Sequence, residues 1–160
     1  MRAGELSHQL ARDLYGVVFS PDGSPDLGAT ALARKAMRMA RLAKAAPARY
    51  RLDSPTPTPQ KVRHDIGETF SVLEDNDGRA FMACHCCRAT LSPANQNYKE
   101  YCPSIFGTLC EADSVQFSDS KGEVEGEVVL RQYVCGSCGA LLQTDVCQPD
   151  DAPVWDIALA

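Results

Sequence analysis

Long apolar runs are missing from this 160-residue sequence, so no segment reads as a bilayer-spanning helix. Aromatic residues are sparse, at 7% with a single tryptophan, which limits the size of any one core. A glycine-rich phosphate loop, a His-Glu-x-x-His pair, a Ser-His-Asp grouping and tandem repeats are all lacking. The three histidines, His8, His64 and His85, stand far apart. No catalytic residue is therefore assigned. Met1-Arg2-Ala3-Gly4-Glu5 has no apolar leader segment either, which predicts a cytoplasmic chain with reduced thiols.

Against that background cysteine stands out, with eight in the chain. Two clusters dominate: Cys84-His85-Cys86-Cys87 and Cys135-Gly136-Ser137-Cys138-Gly139. Each ends a strand-like apolar run. Two thiolate clamps on two turns are what a tetrahedral zinc site requires, because Zn²⁺ imposes no geometry of its own and the protein must supply four converging ligands. A two-residue gap lets both sulfurs of Cys135-x-x-Cys138 face one point. In the first cluster, Cys84-x-Cys86 and Cys84-x-x-Cys87 are both available, and spacing leaves the choice open. His85 reads as a solvent-side residue between ligands, since neighbouring side chains at a strand end point apart. A thioredoxin-like redox pair would need a βαβ context that the pattern does not offer.

Charge is unevenly spread. The net charge is −5, yet Leu27 to Leu52 carries seven basic residues and no acidic one, which leaves the rest of the chain at about −12. The acidic balance opposes general nucleic-acid binding. Leu6, Leu10 and Leu14 predict a short helix over residues 5–15, stopped by Gly16. A longer helix is expected over 26–46, capped by Asp26 and stopped by Pro47. Its apolar stripe, Leu32, Ala36, Met39 and Ala43, is too narrow to hold it alone. The alternating prolines of Leu52–Pro59 then favour an extended course. The expected organisation is a helical, partner-binding arm over 1–60 and a cysteine-rich, zinc-ribbon-like module over 61–160, an α+β chain overall. In the module, a hairpin around Asp77-Gly78 delivers Cys84, residues 88–123 read as irregular, and strands over 127–134 and 140–146 flank the second cluster. Trp155 either folds back or docks on a partner.

The ordered set Cys84-His85-Cys86, Asn97-Tyr98-Lys99 and Tyr133-Val134-Cys135-Gly136-Ser137-Cys138-Gly139 resembles the small gamma subunit of the ATP-dependent ketone carboxylases, the acetone and acetophenone carboxylases. The likeness covers about residues 70–157. It implies a non-catalytic subunit with structural Zn²⁺ on Cys84, Cys86, Cys135 and Cys138. Large partner subunits would carry the sites where ATP activates bicarbonate and the ketone. The additional Cys87, Cys102, Cys110 and Cys147, and an end soon after Trp155, tilt the reading towards the acetophenone type. Those four thiols could form a second tetrathiolate site, or some could be buried as small apolar side chains. A different class of function is a zinc-ribbon module that binds nucleic acid or protein, which the basic helix favours and the acidic module opposes.

Overall fold

The computed structural model describes residues 7–52, 61–108 and 128–158. Its class is α+β: two amino-terminal helices precede two antiparallel sheets. The proline-rich stretch, Cys110 and most of the irregular span after Thr108 lie outside the described residues.

Helix α1 (His8–Tyr15) starts where the Ser7 hydroxyl accepts from Leu10 N–H at 3.1 Å. It stops at Gly16, whose φ of 64° is the left-handed closure that the sequence predicts. Helix α2 (Leu27–Lys44) is capped by Asp26, whose carboxylate accepts from Ala29 N–H at 2.9 Å. The chain between them is tied to α2 by Thr30, whose hydroxyl accepts from Val18 N–H at 3.0 Å. The stripe read from the sequence is the exposed side of α2: Leu32 is 71% accessible, and Ala36, Met39 and Ala43 are also exposed. Ala33, Met37, Arg38, Arg41 and Leu42 are instead the half-buried positions. Among the described residues no helix is long and apolar enough to cross a membrane.

The first sheet runs β1 (Lys61–Ile66), β2 (Phe70–Glu74), β3 (Ala80–Cys84), β4 (Thr90–Pro93), in that spatial order. The β2–β3 hairpin has the expected turn. Gly78 adopts φ 78°, and the Asp75 carboxylate accepts from Asp77 and Arg79 N–H at 3.0 and 2.9 Å. The second sheet runs β5 (Ser104–Thr108), β6 (Val129–Val134), β7 (Leu141–Cys147). Strands β4 and β5 fall in the span that the sequence reads as irregular, and β1 is a further strand which its charged residues conceal. Past α2 the chain crosses the free edge of β5. Ala46 and Ser104 exchange backbone hydrogen bonds at 2.8 and 3.1 Å.

Both sheets feed one core, in which Phe70, Val72, Met82 and Leu91 meet Tyr98, Tyr133 and Leu142. The Asn97-Tyr98-Lys99 stretch fastens it. Asn97 caps a 3₁₀ turn (Tyr98–Tyr101) and donates through Nδ2 to the Pro153 carbonyl at 2.9 Å, which holds the tail. Tyr98 is fully buried, edge-on to Phe70, and burial pushes its phenol far above the usual value, so it stays protonated. The Lys99 ammonium, 1% exposed, pairs with Asp145 at 2.8 Å on β7 and with Asp156 at 3.1 Å in the tail. Trp155 is half-exposed and donates to the Ile157 carbonyl, whereas Ile157 packs on the core.

Replacing Lys99 leaves two carboxylates without their cation. Lys99→Met should lower stability by about 3 kcal/mol, the low end for a broken buried pair because both carboxylates keep some solvent. Urea unfolding of the purified chain reads this directly; an unchanged midpoint would show that the pair contributes nothing net.

Candidate metal centre

Strand β3 ends at Cys84 and strand β6 ends just before Cys135, and the chain then makes the same turn twice. In the first, Arg88 N–H donates to the Cys84 carbonyl at 2.8 Å and Cys84 N–H to the Ala89 carbonyl at 2.9 Å. In the second, Gly139 N–H donates to the Cys135 carbonyl at 2.8 Å and Cys135 N–H to the Ala140 carbonyl at 2.9 Å. Arg88 and Gly139 share the left-handed conformation, with φ 59° and 68°. The Cys84 sulfur accepts from the backbone N–H groups of Cys86 and Cys87, as the Cys135 sulfur does from those of Ser137 and Cys138. The two turns are one motif, Cys-x-x-Cys-x-Ala-x-Leu, carried by residues 84–91 and 135–142. Leu91 and Leu142 close each copy from inside the core.

This equivalence selects the ligands. The sulfurs of Cys84, Cys87, Cys135 and Cys138 all lie within 4.8 Å of one another. The pairs Cys84–Cys138 and Cys87–Cys135 approach to 3.8 and 3.7 Å. A regular tetrahedron with metal–sulfur bonds of about 2.3 Å has edges of about 3.8 Å, so the four sulfurs are already spaced to hold an ion. They are far beyond the S–S bond length of about 2.05 Å. The set departs from the one implied by the resemblance: Cys87 stands in it and Cys86 does not. The turn explains why. Residues 84 and 87 occupy the first and fourth positions, whose sulfurs join the cluster, and Cys86 takes the place of Ser137.

The second set does not come together among the described residues. Cys87 is used in the first cluster, Cys102 is buried in the core beside Cys84 with its thiol pushed up to about 12 by burial, and Cys147 ends β7. Cys110 lies outside the described residues.

Electrostatics fits a cation. Cys84 is held low because the Cys135 thiol donates to it, and Cys135 is held high by that same bond. Burial raises Cys138. Four converging sulfurs therefore resist joint ionisation by themselves, and a bound divalent ion is what makes all four thiolates compatible.

The surroundings brace both turns. Arg88 donates from Nη1 to Asp65 at 2.6 Å and also meets the buried Ser71 hydroxyl, and the pairing holds Asp65 well below the usual carboxylate range. His85 lies against Asp65 and Ser71, at 3.3 and 3.4 Å, away from the sulfurs. This brings a serine, a histidine and an aspartate together, but both partners meet the same ring nitrogen, Nδ1. A nucleophile relay needs one partner on each nitrogen. On the other side, α2 rests on the second turn. A Cβ on Gly139 would collide with the Arg38 carbonyl, and Arg41 donates to the Gly139 carbonyl at 3.2 Å. Part of the basic face of α2 is thus turned onto its own chain's cysteine turns.

Reading from the sequence alone leaves Cys87 as an alternative to Cys86 and misses Arg88, Asp65 and Ser71. A signal for Cys87 exists in the Ala-x-Leu that follows both Cys-x-x-Cys pairs. Arginine stands where the second copy has glycine, and that difference conceals the repeat. No protein-family model matches the chain, and no curated protein matches it.

Two outcomes are expected. Cys87→Ser should lose the metal and Cys86→Ser should keep it, as counted by plasma mass spectrometry per chain; the reverse pattern would restore Cys86 as ligand. Gly139→Ala should cost about 1–3 kcal/mol from the left-handed backbone alone. Contact with Arg38 should also lift α2, seen as faster amide exchange over 33–42; unchanged exchange there would show that the helix is not seated on this turn.

Proposed function

We propose that the chain is a non-catalytic, zinc-stabilised subunit of a multisubunit ATP-dependent ketone carboxylase, of the acetophenone type. The observation that carries the reading is the closed set of four sulfurs from two equivalent turns. An all-cysteine tetrahedral set suits zinc, and four protein ligands leave no coordination position for water or substrate. Zinc on Cys84, Cys87, Cys135 and Cys138 supplies cohesion rather than chemistry. In small zinc peptides such binding is worth about 10–16 kcal/mol near neutral pH, more than a core this short of aromatics contributes.

The carboxylase part rests on the likeness described above, whose central Asn97-Tyr98-Lys99 piece is built into the core beside the cysteine turns. On this reading ATP and bicarbonate act on the large subunits, and the chain holds those subunits together in the cytoplasm. The outward stripe of α2, with Leu32 and Met39 exposed, is the surface available to them. Arg41 is engaged with the second cysteine turn, which weakens the case for a nucleic-acid module.

The test is the native mass of the complex purified through this chain from its own host, with zinc counted per subunit. Large subunits that carboxylate a ketone with ATP should co-purify, and the chain alone should hydrolyse no ATP. Recovery of the chain with nucleic acid instead, lost in high salt, would overturn the reading.

A further inference from the structure

Two exposed surfaces of opposite character lie outside the cysteine turns. The first is the outward side of α2, where Leu32, Ala36, Met39 and Ala43 recur at helical spacing and are all exposed. Lys35 stands beside them, three residues on from Leu32 and four before Met39, and Lys44 ends the helix; both are exposed. Helix α2 touches its own chain by the other side, through Thr30, Arg38 and Arg41, so the stripe faces away from its own module. The second surface is an open groove of about 610 Å³ between β7 and the tail. Val146 and Val154 line it and are 65% and 68% exposed. Asp145, Asp151 and Asp156 line it too, and Asp150 is exposed next to them in the chain. The cations that line it, Lys99 and Arg131, are both buried. Lys99 is shared by Asp145 and Asp156, and Arg131 is taken up by the carbonyls of Pro149 and Asp151. The side turned to solvent is therefore acidic, with an apolar lip.

We propose that α2 of one molecule docks in this groove of a second copy of the chain, with Leu32 and Met39 against Val146 and Val154, and Lys35 and Lys44 facing Asp150, Asp151 and Asp156. Charge complementarity selects the occupant. The chain carries seven basic and no acidic residues from Leu27 to Leu52 and about −12 elsewhere, so each copy presents both halves of the pairing. The two halves are different surfaces, so the contact is head-to-tail: a pair keeps one free groove and one free stripe, and growth continues until a ring closes. One helix face buries little area, which puts the contact in the weak class, below about 1,200 Å² of total buried surface. Its charged rim makes it sensitive to salt. The contact is a property of the chain by itself and does not rest on the carboxylase reading; large subunits that take the same stripe compete with the second copy.

The full-length chain is followed by sedimentation velocity from low to high micromolar concentration. Its mean mass should rise with concentration and fall back in high salt. Leu32→Glu spoils the stripe and Val154→Lys spoils the groove, both at exposed positions, and each variant alone should associate at least about tenfold more weakly. Mixed together the two should pair, since the first keeps its groove and the second its helix, and pairing should stop at two molecules. Variants that associate like the unmodified chain, or a mixture that stays single, would overturn the proposal. An unmodified chain that stays single at every concentration would also overturn it and leave the stripe to the large subunits. A mixture of unmodified chains carrying light and heavy nitrogen, joined by a carbodiimide and mapped by peptide mass, decides the contact without any variant. Links between light and heavy chains should connect Lys35 or Lys44 to Asp150, Asp151 or Asp156; associated chains linked only elsewhere would overturn the proposal.

Discussion

Four sulfurs drawn to one point are a liability unless a cation sits among them. Cys84, Cys87, Cys135 and Cys138 converge from two turns, and Cys84 and Cys135 compete for the same proton. Everything around them is arranged to hold that convergence. Strands β3 and β6 end at the site, Leu91 and Leu142 anchor the outgoing chain in the core, and Asp65 fixes Arg88 in a backbone conformation that arginine otherwise avoids. Backbone hydrogen bonds close both turns on the same pattern.

A second constraint on the core is also electrostatic, but of another kind. Lys99 is a fixed cation enclosed by two carboxylates, one on β7 and one in the tail. It ties residues 145 and 156 to the 3₁₀ turn, as the sulfurs tie the first sheet to the second. A core with few aromatics is thus bounded by two charged junctions, which compensates for its limited apolar area. Asn97, Tyr98 and Lys99 each act at a different part of this arrangement: the tail, the core and the ion pair.

Much of the architecture was legible in the sequence where one local signal acts alone. Asp26 and Gly16 mark helix ends, Asp77-Gly78 marks the hairpin, and the apolar runs before Cys84 and Cys135 mark β3 and β6. Three features were not legible, for physical reasons. Lys61–Ile66 is an edge strand whose exposed faces carry charge, so it shows no apolar alternation. The inward side of α2 rests partly through its backbone on Gly139, and backbone contact leaves no trace in a hydrophobic pattern. The choice between Cys86 and Cys87 stayed open because Arg88 fills the position that glycine holds in the second copy, and its left-handed conformation is held by Asp65 and Ser71, partners distant in the chain.

The repeated turn has a consequence for synthesis. Each copy supplies two ligands, and two thiolates do not saturate the ion. The last ligand of the first copy, Cys87, emerges 48 residues ahead of the first ligand of the second, Cys135. At about 5–20 residues per second, that interval is about 2–10 seconds. For that time the nascent chain displays three neighbouring thiols, Cys84, Cys86 and Cys87, with no partner half to close over them. Completion of the site is therefore tied to the arrival of Cys138 rather than to the folding of the first sheet.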